Sequence, residues 1–204
     1  MKRGLNVRDI LSKKYRSFPF MGAWADAFGQ PERVGVWFVW GNSGNGKTSF
    51  VMQLIKELCR YDRVIFDSLE EGTGLTLQQS IMRFGMSEVG SRLTIVNESM
   101  DALMERLGKQ KSVSIVVIDS FQYTQMSYRD YIQLKTRFPD KLLIFLSHAA
   151  GVRPKGGAAV SVMYDATLKI WVEGYKAFSK GRFIGSTGEF TIWDVGAARY
   201  WRTE

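Results

Sequence analysis

The stretch from Val34 to Thr48, VGVWFVWGNSGNGKT, joins an apolar run to a glycine-rich loop at the start of a second patterned segment. Residues 34–40 are almost continuously apolar, which is typical of a strand buried on both faces. Residues 48–61 carry their apolar side chains at helical spacing. The stretch therefore predicts a buried strand, a tight loop and a helix in immediate succession.

The glycine-rich loop matches the pattern G-x-x-x-x-G-K-[ST]. Glycines let backbone N–H groups curl around phosphates, and the following helix N-terminus adds positive potential. Lys47 would reach the β- and γ-phosphates, and the Thr48 hydroxyl would ligate Mg²⁺. We therefore predict ATP and Mg²⁺ as ligands. The predicted nucleotide-binding residues are Gly41, Asn42, Ser43, Gly44, Asn45, Gly46, Lys47, Thr48 and Ser49.

Further short apolar runs follow at 64–66, 93–96, 114–118 and 142–146, with helical patterns between them, including 75–83 and 99–108. Strands that alternate with helices indicate a mostly parallel sheet covered by helices on both faces. After Ala166 the pattern becomes β-like, and we expect antiparallel strands at 168–172 and 189–193. The predicted fold class is α/β, with an antiparallel extension at the C-terminal end.

Length and composition limit the classes of protein. The 204 residues suffice for one α/β domain, and 45% hydrophobic with 24% charged residues is typical of a soluble globular protein. A lone cysteine, Cys59, fits a reducing compartment, and no apolar run reaches membrane-spanning length. We expect a cytoplasmic protein with a basic leader at 1–33 and an ATPase domain at 34–204.

The net charge of +8 is concentrated in the leader. Its first 16 residues contain one acid, Asp9, and six basic side chains: Lys2, Arg3, Arg8, Lys13, Lys14 and Arg16. Such a segment binds nucleic acid or an acidic partner, or is a solvated tail.

Polar residues follow three of the predicted strands. Asp119 ends the run 115–118, where a carboxylate can hold Mg²⁺ or its water. Glu70 and Glu71 follow the strand near 66, and a glutamate there could deprotonate the attacking water; the alternative is a charged turn. His148, which ends the strand near 146, either responds to the γ-phosphate or is a structural histidine.

On these motifs residues 34–193 resemble the RecA-like ATPases, within them the DnaB-type replicative helicases and the RadA/Sms repair proteins. The resemblance implies that Glu70 is the catalytic glutamate and that Asp119, followed by Ser120, holds magnesium. Ser147 and His148 stand in the place of the family's phosphate-sensing Ser-Gln pair, so the histidine is a departure from the pattern.

The segment KGRF at 180–183 resembles the K-x-R-F-G segment of the same ATPases. The resemblance implies that Lys180 and Arg182 reach the γ-phosphate bound by an adjacent subunit, and therefore that the chain forms a homo-oligomer, a ring or a filament. A guanidinium supplied in this way offsets charge that builds on the phosphoryl oxygens. We expect both side chains to lie on one face of a strand; the alternative is an exposed basic hairpin.

Two segments are candidates for binding single-stranded DNA. The first is a flexible loop predicted at 149–159, where Arg153 and Lys155 would neutralise phosphates; the alternative is a plain surface loop. The second is 123–137, where aromatic and basic residues alternate; the alternative is the outer face of a helix.

Three functions are compatible with these features. The first is a small RecA-like ATPase, of the stand-alone type that phages and mobile elements use, acting on single-stranded DNA in recombination or replication. The second is a KaiC-like ATPase switch that acts on a protein partner. The third is a helicase loader or transposition regulator of the AAA+ class. Proteins of that class usually have a second acid next to the magnesium-binding aspartate, whereas Asp119 is followed by Ser120 in this sequence.

Overall fold

Strands and helices alternate along residues 4–202, the part of the chain that the computed structural model describes. The helices are α1 (Val7–Leu11), α2 (Ala23–Phe28), α3 (Lys47–Leu58), α4 (Leu75–Arg83), α5 (Met100–Leu107), α6 (Tyr128–Arg137), α7 (Gly157–Asp165) and α8 (Asp194–Trp201). The strands are β1 (Gly35–Gly41), β2 (Val64–Ser68), β3 (Leu93–Val96), β4 (Ile115–Asp119), β5 (Leu142–Ala150), β6 (Arg153–Pro154), β7 (Leu168–Glu173), β8 (Lys176–Ser179) and β9 (Glu189–Thr191). Short 3₁₀ helices span Met86–Arg92 and Phe121–Thr124.

The main sheet has the strand order β3-β2-β4-β5-β1-β7-β8-β9, and β6 pairs with β5 alone. The first six strands in this order are parallel, whereas β8 and β9 are antiparallel additions at one end. Strand β1 therefore lies between two parallel neighbours, and its residues from Val36 to Gly41 are all buried. The prediction of a parallel sheet with an antiparallel C-terminal extension is confirmed.

Alternate side chains of β1 enter two separate cores. Trp37 and Val39 pack on one face of the sheet with α3, and Phe38 and Trp40 pack on the other with α6 and α7. Because both faces of the strand are apolar and covered, the uninterrupted apolar run of the sequence is explained. The sheet thus lies between two layers of helices.

The C-terminal third differs from the expectation in three ways. Strand β7, expected to be antiparallel, is parallel to β1, because α7 carries the chain back across the sheet before β7 begins. Strand β8 was not predicted, although it pairs with both β7 and β9. The β pattern expected at 189–193 ends at Thr191, and helix α8 follows.

The second half of the leader packs on the sheet. Phe18, Phe20 and Phe28 are buried in the same core as α3, and Trp24 stacks on Phe190 with ring centroids 4.2 Å apart. The cations Arg8, Lys13, Lys14 and Arg16 are exposed, whereas Lys2 and Arg3 lie outside the described residues. A domain boundary at residue 34 stays a prediction. Within residues 4–202, none of the helices has the length and apolar character needed to cross a bilayer.

Packing of the leader can be tested by truncating one ring. Phe28 is 1% exposed, and replacing a buried phenylalanine with alanine typically costs about 3–5 kcal/mol. We expect Phe28→Ala to lower the free energy of unfolding by that amount in a denaturant titration. Met21→Ala is the matched control: Met21 is 74% exposed in the same segment, so its change should stay within about 0.5 kcal/mol. Equal effects of the two changes would contradict the packing described above.

Candidate functional site

The glycine-rich loop joins the buried end of β1 to the first turn of α3, as its sequence predicts. Gly41 has no room for a side chain, because a Cβ there would lie 2.3 Å from the carbonyl oxygen of Val172 on β7. Gly46 has a φ of +93°, a backbone conformation that favours glycine. Backbone geometry thus fixes both ends of the loop, with α3 beginning at Lys47.

The loop forms one wall of an open cleft of about 330 Å³ at the carboxyl ends of the parallel strands. Its lining residues are Ser43, Gly44, Gly46, Lys47, Thr48, Ser49, Glu70, Glu71, Asp119, Leu146, His148 and Tyr175. Six of the nine predicted nucleotide-binding residues and all the predicted acidic residues therefore lie around one space. Ligands of open parallel sheets bind at this edge.

Charged groups of opposite sign interact across the cleft. Burial lowers the pKa of Lys47, while the carboxylates of Asp119 and Glu70 oppose that shift. Burial, with a further contribution from Glu70, raises the pKa of Asp119 to about 7, and Lys47 opposes this shift. The three side chains are thus close enough to influence one another, and a cation in the cleft would favour the charged carboxylates.

A hydrogen bond joins two of the predicted site residues. Nε2 of His148 lies 2.9 Å from Oε2 of Glu70, the distance of an imidazole N–H that donates to a carboxylate. The backbone N–H of Glu70 donates to the carbonyl oxygen of Asp119. The turn after β2 is therefore attached to the ends of both β4 and β5. Glu71 also lines the cleft, but the hydrogen bond to the histidine belongs to Glu70.

The residues present fit a magnesium ion. The Thr48 hydroxyl and the Asp119 carboxylate both line the cleft, and oxygen ligands are those that Mg²⁺ prefers. Residues 4–202 contain no cluster of three or more His, Cys, Asp or Glu side chains that could hold a metal by itself.

The remaining loop residues support the cleft from outside. The side-chain Oδ1 of Asn45 accepts a hydrogen bond from the backbone N–H of Gly174 at 2.8 Å. The backbone carbonyl oxygen of Asn45 accepts one from the backbone N–H of Tyr175. Gly174 and Tyr175 form the two-residue turn between β7 and β8, both with positive φ, as tight hairpins require. The turn brings Tyr175 into the cleft. Tyr175 is not among the predicted site residues, because its place in the cleft depends on the contact of this turn with Asn45, which is distant in the chain.

The loop predicted at 149–159 is instead a β-hairpin followed by α7. Its tip is attached to β1 and to the nucleotide-binding loop. The indole N–H of Trp40 on β1 donates to Val152 O at 3.0 Å, and the side-chain amide of Asn42 in the loop donates to Gly151 O at 3.1 Å. The expectation of a flexible loop is therefore wrong, because these bonds and the β5–β6 pairing hold the backbone. Arg153 and Lys155 are exposed on it and do not line the cleft.

A single amide side chain ties the base of this hairpin to the end of β5. Nε2 of Gln122 donates to the Ser147 hydroxyl and to the Lys155 carbonyl, both at 2.8 Å, and its Oε1 accepts the backbone N–H of His148. Gln122 follows Asp119 by three residues. It therefore connects the end of β4, the histidine at the cleft and the hairpin, a role that no sequence pattern indicated.

Lys180 and Arg182 lie away from the cleft of their own chain. Contrary to the expectation, these two residues do not lie on a strand, because β8 ends at Ser179. The residues that follow make irregular hydrogen bonds to the backbone at β7. The N–H of Arg182 donates to Thr167 O, at the amino end of β7. Arg182 is exposed, and neither side chain lines the phosphate cleft.

The segment 123–137 is mostly helix α6, which starts at a capping box formed by Ser127 and Asp130. Tyr131 is fully buried against Phe145, so it cannot stack on a base. Tyr123 and Tyr128 are 54% and 40% exposed. The aromatic residues of this segment therefore serve partly to pack α6 on the core.

Comparisons with known proteins support the fold. No protein-family model matches the chain, and neither does any curated sequence. A KaiC-like protein, PH0186 from Pyrococcus horikoshii OT3, is 18% identical, with a TM-score of 0.57 over 78% of this chain and 89% of that one. The flagellar accessory protein FlaH from Methanocaldococcus jannaschii is 14% identical, with a TM-score of 0.58 over 87% and 92%. A third solved structure, an ATPase domain, is 16% identical, with a TM-score of 0.51 over 73% and 77%.

At these identities the comparisons concern the fold. The chain has the fold of RecA-like P-loop ATPases, and the prediction of that fold is confirmed.

Proposed function

We propose that this protein binds and hydrolyses ATP. The observation that carries the proposal is the cleft, where Lys47, Thr48, Asp119 and Glu70 face one space at the carboxyl ends of the sheet. The loop N–H groups and Lys47 would hold the phosphates, and the start of α3 adds positive potential. The residue types and their placement are those that phosphoryl transfer to water requires.

In the proposed reaction Glu70 is the general base. Its carboxylate would accept a proton from the attacking water, while the hydrogen bond from His148 fixes the direction of the carboxylate. Thr48 and Asp119 would hold Mg²⁺, which supplies charge neutralisation on the phosphate oxygens when it is bound. Because His148 contacts Glu70, we also propose that it responds to the presence of the γ-phosphate. A free, buried Cys59 agrees with a cytoplasmic protein.

We further propose that the chain acts as a homo-oligomer. Arg182 is exposed and does not line its own cleft, so a part in hydrolysis would require the cleft of a neighbouring subunit, with Lys180 beside it. A guanidinium supplied in this way would offset charge on the transferred phosphoryl group.

Single-stranded DNA is the proposed effector. The hairpin that carries Arg153 and Lys155 is bonded to the nucleotide-binding loop through Asn42 and to the His148 backbone through Gln122. DNA held at the hairpin would therefore act on the cleft through short contacts. A switch acting on a protein partner, as in the KaiC-like hypothesis, or a helicase loader would use the same cleft without DNA stimulation.

The identity of the base can be tested with paired variants. Glu70→Gln should leave ATP binding intact and lower phosphate release by about 100-fold or more, since it removes a general base. Glu71→Gln is the matched control and should retain most of the rate. Lys47→Ala should weaken ATP binding and turnover together. A damaging Glu71→Gln beside a harmless Glu70→Gln would show that the base is the second glutamate.

The DNA hypothesis predicts faster ATP hydrolysis when single-stranded DNA is added. Arg153→Ala with Lys155→Ala should abolish the stimulation and lower the slope of log affinity against log salt by about 0.7 for each phosphate that is no longer neutralised. Basal hydrolysis without DNA should remain, because neither residue lines the cleft. A wild-type protein that hydrolyses ATP but ignores single-stranded DNA would favour the switch on a protein partner.

The role of Arg182 can be tested by mixing two inactive variants. Arg182→Ala should cost about 10³-fold in turnover, the range of arginine fingers supplied in trans, with little change in nucleotide affinity. Mixed with Glu70→Gln, it should regain part of the activity, because some interfaces then join an intact glutamate to an intact arginine. Co-assembly without any recovery would mean that Arg182 does not serve a neighbouring site.

A further inference from the structure

The edge of the sheet opposite the phosphate cleft carries a row of basic side chains. Parallel strands begin at the same edge, and five of the six here are preceded by a cation within four residues. Lys141 is 5% exposed and its Nζ donates to Ser112 Oγ and Val113 O, so it is not part of this surface. With Arg137 at the end of α6, the other side chains form what we call the basic edge: Arg33, Arg63, Arg92, Lys111 and Arg137.

Three of these cations make contacts with backbone carbonyls or a ring along the edge. The guanidinium of Arg63 donates to the carbonyl oxygen of Lys111 at 2.8 Å, and that of Arg92 donates to Cys59 O at 2.8 Å. Arg33 lies over the ring of Phe18, 5.3 Å from its centroid. Among the ion pairs formed between residues 4 and 202, none includes a basic-edge residue.

The positive charge of the basic edge is therefore not neutralised by carboxylates in contact with it. Three acids lie beside it in the chain: Glu32, Asp62 and Asp140. Helices α3 and α5 end at this edge, and their C-terminal carbonyls favour nearby cations. That effect accounts for a cation near a helix end, but it does not require an exposed side chain. Four cations of the basic edge are nevertheless exposed: Arg63, Arg92, Lys111 and Arg137.

We propose that the basic edge binds the phosphate backbone of double-stranded nucleic acid. The row crosses five adjacent strands, so it is about 19 Å long at about 4.8 Å per strand. Duplex DNA carries about one phosphate charge per 1.7 Å of its axis with both strands counted, so about eleven charges fall within such a length, and those on the near side can contact the edge. Contacts of this kind position a protein on a duplex without reading its sequence.

The rings beside the basic edge favour a duplex over a single strand. Binding of single strands relies on exposed aromatic rings that stack on bases. Here Phe18 and Phe138 are buried, and Tyr61 is half-buried under Arg33. The hairpin with Arg153 and Lys155 follows the carboxyl end of β5, at the opposite edge. The two surfaces are therefore separate, and binding at the basic edge requires no nucleotide.

Two triple variants of equal net charge test this proposal. The edge variant combines Arg63→Gln, Lys111→Gln and Arg137→Gln. The control variant combines Arg83→Gln, Arg199→Gln and Arg202→Gln, three exposed arginines elsewhere on the surface. Binding of a labelled 20-base-pair duplex of mixed sequence is measured by fluorescence anisotropy, without ATP, at several salt concentrations. Melting temperatures and basal ATP hydrolysis of both variants show whether they fold and keep the cleft intact.

We expect the edge variant to bind the duplex at least about 10-fold more weakly and to lower the salt slope by roughly 2–3, since each neutralised phosphate contributes about 0.9. The control variant should stay within about 2-fold of wild type. A charge-conserving variant, Arg63→Lys with Arg137→Lys, should keep duplex binding and serves if the triple variant does not fold.

Three results would overturn the proposal. Wild-type protein that does not bind the duplex, or equal weakening in the edge and control variants, would mean that the cations only complement the helix ends. Polyglutamate that competes as well as unlabelled duplex would indicate an acidic protein as the partner. Failure of ATP hydrolysis alone would affect the proposed function and leave this inference intact, because the binding assay contains no ATP.

Discussion

Parallel pairing of buried strands in one fixed register is the constraint on which the site depends. In that register Gly41 of β1 lies opposite His148 of β5, and Ser68 of β2 lies opposite Asp119 of β4. Each strand end thus delivers its polar residue to the same level of the sheet. A slip of one residue would exchange the side chains that enter the two cores and would move the strand-end residues off this level. The packing that stabilises the two cores therefore also aligns the chemistry.

The close contact of β1 with β7 sets a second condition. Because a Cβ at Gly41 would meet the Val172 carbonyl, the phosphate loop can leave the sheet only where the strand carries no side chain. The turn after β7 then reaches back to Asn45 and brings Tyr175 to the cleft. The antiparallel extension is therefore part of the wall of the site as well as an addition to the sheet.

Sequence patterns predicted those parts of the protein that local signals determine. The apolar runs indicated the parallel strands, the glycine pattern indicated the loop, and polar residues at strand ends indicated Glu70 or Glu71, Asp119 and His148. Tyr175 and Gln122 could not be predicted in this way, because their positions depend on contacts between segments distant in the chain. The same reason explains the error at 149–159: small residues suggested a flexible loop, but Trp40 of β1 and Asn42 of the nucleotide-binding loop bond to its backbone.

The two edges of the sheet differ in their electrostatics for one topological reason. Where each helix connects two parallel strands, its N-terminus lies near the carboxyl ends of the strands and its C-terminus near their amino ends. The positive end of α3 therefore meets the phosphate cleft, and the negative helix ends meet the basic edge. Some cations at that edge offset the partial negative charge of the helix carbonyls, as Arg92 does where it donates to Cys59 O at the end of α3. Those that remain exposed add a positive field on the face away from the cleft, so the fold can carry anions at both edges without their competing for one site.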